Sequence, residues 1–263
     1  PPPWRDPQRR QQISSGRKER RALKQEVEVA ARLVHTNIVT AFDAGETKKT
    51  YFLVMEYVDG RDLATVVDER GSLSLADALD YVLQAAKGLE YAHSQGVVHR
   101  DIKPANLLLD NNGTVKILDM GLARFAGSEQ TDGSLTKTGQ MMGTPDYMSP
   151  EQAWDTKAVD IRGDIYSLGC TLFRFLIGSP PFQGENPFQT LMIRTTIEAP
   201  LLRSLDPDLP EGLEKIVARM LRRDLTERYD DPAEVVEALA CVAGGLVAGT
   251  WAPSCPVAGA AHA

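Results

Sequence analysis

Cysteine is scarce: Cys170, Cys241 and Cys255 are the only three in 263 residues. They make an odd, sparse set without metal-ligand spacing, and a reduced, cytoplasmic setting is the economical expectation. Net positive charge is also lacking. At −7 overall the chain is not composed as a general nucleic-acid binder. Long apolar runs are missing as well. The opening PPPWRDPQRR has no apolar core of the kind a leader needs. Residues 239–263 contain no Asp, Glu, Lys or Arg, but they are mostly Ala, Gly and Val, broken by Pro253 and Pro256. That composition reads as an Ala/Gly/Pro tail rather than a membrane span. Glycine is thin at the start, where Gly16 is the only one before Gly45, and no Gly-x-Gly-x-x-Gly occurs anywhere.

What is present is ordinary for a soluble globular protein, with 43% hydrophobic and 25% charged residues. Charge is uneven. Residues 1–24 carry eight Lys/Arg against Asp6 and Glu19, about +6, leaving about −13 for the remainder. A first helix is expected over 18–33, then strands over 39–44 and 50–57 with a turn at Gly45-Glu46, and a connector 56–60 ending in a glycine turn. Beyond it the chain turns helical. Ser74 followed by Asp77 is a capping signature ahead of an amphipathic helix that Gly96 ends. Residues 164–177 are apolar nearly all round, which predicts a central buried helix. Two more amphipathic helices are expected over 212–221 and 231–240.

The densest chemical signal is VVHRDIKPANLLLD, residues 97–110. Asp119-Met120-Gly121 follows, then GTPDYMSPE over 143–151. Taken singly, Asp101 and Asp119 could be turn or capping carboxylates. In this order and spacing the three pieces resemble the catalytic loop, metal loop and activation segment of protein kinases. The chain resembles a eukaryotic-like (Hanks-type) serine/threonine protein kinase of the bacterial branch. That resemblance implies an α+β, two-lobed fold with an incomplete small β-containing N-lobe and a complete, mainly helical C-lobe. Residues 1–17 read as a basic, proline-rich lead-in, 18–240 as the kinase-like domain (N-lobe remnant 18–58, C-lobe 59–240), and 241–263 as the tail.

The resemblance also assigns roles. Asp101 would be the base facing a substrate hydroxyl, Lys103 would contact the γ-phosphate of ATP, and Asn106 and Asp119 would hold Mg²⁺ through oxygen. Met120 replaces the usual Phe at a packing position, and His99 packs and hydrogen-bonds rather than shuttling protons. At the adenine site Met55 would lie at the back, Glu56 and Val58 would offer backbone groups, Asp62 would meet the ribose and Leu108 would form the floor. Glu151 and Arg228 would make a buried ion pair, Asp164 would hold the catalytic-loop backbone, and Thr144 would reach Asp101 and Lys103. Arg100 implies regulation by a phosphorylated activation loop, with Thr136 and Thr138 as acceptors. Protein Ser/Thr hydroxyls, ATP and a second copy for autophosphorylation are the implied partners; nucleic acid and membrane are not.

One part of the pattern is absent. Glu26 matches the helix glutamate, but its strand lysine should lie about 15–20 residues earlier, where RDPQRRQQ has none. Three readings fit: lost or replaced first strands, a non-catalytic kinase-like scaffold, or substitution by Arg9, Arg10, Lys18 or Lys24. On any of them phosphorylation by these 263 residues is expected to be very slow or absent, and apolar surface is expected beside the first strands.

Overall fold

The computed structural model describes residues 33–47, 50–120, 145–153 and 159–248. The expected first helix, with Glu26, lies outside them. Strands β1 (Ala41–Thr47) and β2 (Thr50–Met55) pair antiparallel, with a register irregularity between Ala41 and Asp43. Gly45 and Glu46 are not the turn. They lie within β1 opposite Phe52 and Tyr51, and the chain reverses between Thr47 and Thr50. From Asp43 onward the pairing is regular through Thr47↔Thr50. Phe42 is 64% and Val54 43% exposed, the apolar surface expected beside these strands.

A second antiparallel sheet has the order β3 (Gly60–Asp62), β4 (Leu107–Asp110), β5 (Val115–Ile117). None of its three-residue and four-residue strands is long enough to show period two in sequence. Gly60 therefore corrects the glycine-turn reading: it opens β3 opposite Asp110, and a Cβ there would lie 2.0 Å from the Leu109 carbonyl oxygen. Close backbone approach, rather than a turn, requires the glycine.

The helices follow side-chain chemistry closely. α1 (Leu63–Arg70) starts where the Asp62 carboxylate accepts from the Thr65 amide, and α2 (Leu75–Ser94) where the Ser74 hydroxyl accepts from the Asp77 amide, as the capping signature predicts. α2 buries Leu79, Val82, Ala86 and Leu89. α3 (Ile161–Ile177) is buried from Gly163 to Phe173 without interruption. Ser167 and Thr171 tolerate this because their hydroxyls donate to carbonyls one turn back, at 3.0 and 2.9 Å. Gly178 then ends α3 at φ 86°. α4 (Pro187–Thr196), α5 (Leu202–Leu205), α6 (Glu211–Met220) and α7 (Pro232–Ala248) complete the helical part. α7 runs eight residues past the expected end at Ala240.

α2 packs against α3 and α7, and β5 packs against its middle, near Gln84 and Gly88. The two parts of the chain are joined there. Asn37, buried, donates to the Val115 carbonyl (2.8 Å) and to Gln84 on α2 (3.2 Å), while Ile117 and Val39 exchange backbone bonds with Asn37 and Ile117. Cys170 is a free buried thiol, and burial pushes its pKa up to about 11. Cys241, exposed on α7, is disulfide-bonded, which departs from the expectation of three reduced cysteines. Among the described residues no helix is long and apolar enough to cross a membrane.

Replacing Gly60 with Ala is expected to force β3 from β4 and cost about 1–3 kcal/mol. Thermal melting reads this directly; an unchanged Tm would mean that the two strands do not approach so closely.

Candidate active site

The loop between α2 and β4 is pinned by three buried apolar residues, Val97, Ile102 and Leu107. Its polar backbone is held by one carboxylate. Asp164, in the first turn of α3 and fully buried, accepts from the His99 amide and the Arg100 amide, both at 2.7 Å, and from His93 Nε2 at 2.9 Å. Arg100 sits at φ 68° and Asp119 at φ 59°. A side-chain-bearing residue pays about 1–2 kcal/mol for that left-handed conformation, and such strain collects at functional loops. The Arg100 peptide is gripped on its other side too, where Gln152 Nε2 donates to the Arg100 carbonyl at 2.7 Å.

His99 is buried and fixed at both ring nitrogens. Nδ1 accepts from the Asp101 amide (3.1 Å), which leaves Nε2 to donate to the Leu118 carbonyl (2.7 Å). This histidine thus ties the catalytic-type loop to the segment carrying Asp119.

Asp101 gathers the neighbouring polar groups. Its carboxylate oxygen Oδ2 accepts from Lys103 Nζ at 2.7 Å and from Asn106 Nδ2 at 3.0 Å, and its carbonyl accepts from the same Nδ2 at 2.7 Å. With its amide nitrogen committed twice, Asn106 offers Oδ1 as its acceptor. Asp119 is close enough for both Asp101 and Lys103 to act on it. Burial raises its pKa, Asp101 adds to the rise, and His99 and Lys103 oppose it. Met120 is buried in the core, in a packing position.

The hinge-side residues are all described. Met55 ends β2, and Glu56 and Val58 are partly buried beyond it. The Glu56 amide donates to the Thr40 carbonyl (2.9 Å), so only its carbonyl remains open. Its carboxylate takes Lys116 Nζ at 2.7 Å and the Thr40 amide at 3.1 Å. Burial works against that charge, but the bonds from Lys116 and Thr40 outweigh it and lower the pKa. Both Asp62 oxygens are engaged by Thr65, at 2.8 and 2.7 Å. Leu108, partly buried, pairs with Asp62 and Lys116 across the small sheet.

Further along, Arg228 is fully buried. It meets Glu151 in a two-pronged pair at 2.9 and 2.8 Å, and also donates to the carbonyls of Arg162, Arg222 and Arg223. Thr136, Thr138 and Thr144 lie outside the described residues, as does Glu26. Sequence reasoning missed Gln152, His93 as a partner of Asp164, and Lys116. Each acts through a contact 50 or more residues away, and only the position of Gln152 beside Glu151 offered any signal.

Residues 9–239 match the family model described as protein kinase domain. The chain is 35% identical over 206 residues to the probable serine/threonine-protein kinase PknB of Lactococcus lactis, covering 78% of this chain and 32% of that protein. It is 36% identical over 218 residues to the serine/threonine-protein kinase PrkC of Bacillus subtilis, covering 83% and 33%. The chain thus spans about a third of the length of these curated relatives. Among solved structures, Rad53 residues 1–466 in complex with AMP-PNP superimposes with a TM-score of 0.67 at 27% identity, over 81% of this chain and 53% of that one.

Two substitutions test the electrostatics. Arg228→Met strands the Glu151 carboxylate and is expected to cost about 3–5 kcal/mol in urea unfolding. Asp119→Asn removes a charge that burial disfavours, so Tm should rise, by about 2–4 °C for each kcal/mol recovered. A fall in Tm would show that the Asp119 carboxylate stabilises the fold.

Proposed function

Because the chain belongs to the protein kinase domain family, in its bacterial serine/threonine branch, we propose that this site transfers the γ-phosphate of ATP to Ser and Thr hydroxyls of proteins. One observation carries the reading: Lys103 and Asn106 converge on the Asp101 carboxylate, on a loop whose backbone is fixed by Asp164. Phosphoryl transfer asks the protein for positioning and charge rather than covalent chemistry. Asp101 would accept the hydroxyl proton of the attacking side chain. Lys103 holds the Asp101 carboxylate and supplies positive charge where the phosphoryl group is handed over.

The donor set fits a hard divalent cation. Asn106 Oδ1 and the Asp119 carboxylate are both oxygen ligands, and Mg²⁺ is usually held by one or two such groups together with substrate phosphates. When bound, it would offset charge on the phosphates. A cation bound there would favour the charged form of Asp119, which burial opposes. Adenine would meet the Glu56 carbonyl and Val58 backbone between Met55 and Leu108. A ribose hydroxyl at Asp62 would share the carboxylate with Thr65.

Regulation is part of the same reading. Arg100 beside the proton acceptor would pair with phosphorylated Thr136 or Thr138, placed there by a second copy of the chain. A protein-binding scaffold is the rival reading, favoured by the absence of a Gly-x-Gly-x-x-Gly in these residues.

Labelled γ-phosphate from Mg-ATP, followed into the chain itself and into a generic basic protein, separates the two readings. Slow incorporation that Asp101→Asn abolishes is expected. Equal incorporation by both proteins would remove the catalytic reading and leave the scaffold.

A further inference from the structure

Arg194 on α4 is the largest side chain with no exposed surface. Its Nη1 donates to two backbone carbonyls, those of Pro145 and Met148. These bracket the 3-10 turn Pro145–Tyr147, so one nitrogen clamps both ends of a single turn. The guanidinium lies 5.4 Å from the Phe182 ring centre and 5.8 Å from that of Tyr166 on α3. Its other two nitrogens, Nε and Nη2, are buried without hydrogen-bond partners. Asp146, half-buried, is near enough for Arg194 to lower its pKa against the rise from burial, yet no hydrogen bond joins them.

For stability alone this is a poor choice. A buried guanidinium with one nitrogen satisfied is costly, and an apolar side chain of similar volume is often as stable or better. The position of what it holds suggests why it is kept. The turn is fixed from the other side by the Tyr147 hydroxyl, which accepts from Arg174 at 2.7 Å. The next residues lead to Gln152, whose oxygen takes the Ser149 amide at 2.7 Å and whose nitrogen holds the Arg100 carbonyl beside Asp101. A shift of the turn would pass through this short chain of contacts to the loop carrying the proton acceptor.

We propose that Arg194 is a positioning residue for protein-substrate binding: it sets the backbone of residues 145–148, and with it the alignment of the peptide-docking segment against Asp101. The substrate half of this statement rests on the kinase reading; the clamp itself does not. Nucleotide binding lies on the hinge side and is untouched by it.

The test compares Arg194→Met, which keeps bulk and removes every donor, with Arg194→Lys, which can still reach one carbonyl. Hydrogen exchange followed by mass spectrometry is expected to run about tenfold faster over 145–153 in the Met variant, the scale for losing one charge-assisted bond. The Lys variant should fall between, with α3 unchanged in both. Asp146→Asn, which leaves the clamp in place, should exchange at the wild-type rate. Steady-state assays should show the KM for a peptide substrate raised about tenfold in the Met variant, with the KM for ATP unmoved. Wild-type exchange over 145–153 in Arg194→Met would overturn the clamp, as would equal loosening of α3 or an Asp146→Asn that mimics it. A peptide KM that stays constant while exchange accelerates would overturn the positioning role. If the wild-type chain transfers no phosphate to any peptide, the kinase reading fails and the exchange arms alone decide the clamp.

Discussion

The geometry of the site depends on one buried carboxylate. Asp164 has no exposed surface and takes three donors, two of them consecutive backbone amides of the loop that carries Asp101. It sits in the first turn of α3, where unpaired helix amides favour negative charge. α3 is buried without interruption from Gly163 to Phe173, so the carboxylate cannot drift without moving the core. Rigidity at this point lets a loop keep Arg100 at positive φ. Left alone, the strain would relax the backbone and swing Asp101 away from Lys103 and Asn106. The helix works as an anchor, and the loop inherits its precision.

Around that anchor the buried polar groups form pairs whose members are distant in sequence. Gln152 grips the Arg100 carbonyl from the docking side while Asp164 grips the amide from the core side. His99 joins the same loop to the strand end before Asp119. Each link is a hydrogen bond of ordinary strength, about 1 kcal/mol net. Their value lies in closure, because a peptide held at both its amide and its carbonyl has few ways to rotate.

Sequence carried the local patterns well and the contacts poorly. Asp101, Lys103, Asn106, Asp119 and Asp164 could be named because their side-chain types and spacing form a pattern along the chain. Ser74 and the apolar run of α3 were legible for the same reason, since capping and burial write local signals. The small sheet β3-β4-β5 was not, because its strands are too short to show a period and its pairing joins residues 60–62 to 107–110. Gly60 looked like a turn when its reason lies in Leu109, nearly fifty residues on. Glycine commonly marks reversals, whereas here Gly45 is an ordinary strand position opposite Phe52. Lys116, His93 and Arg194 carried no signal at all. Each has meaning only through a partner supplied by the fold.

The costs are concentrated where the chemistry is. Asp119 is a carboxylate whose charge burial disfavours, Arg100 and Asp119 hold strained backbone, and Arg194 is a buried cation with two idle nitrogens. A chain selected for stability alone would remove all three. The helical core, with α2 packed against α3 and α7, is continuous enough to absorb these losses. The two-stranded hairpin is not, since Phe42 and Val54 face solvent and its tie to the core runs through Asn37, Gln84 and β5. Phosphoryl transfer needs both halves to hold one geometry at the same instant. On the proposed kinase reading the hairpin side, tied to the rest through Asn37, Gln84 and β5 while the helical half has a continuous core, would be the part that limits this geometry.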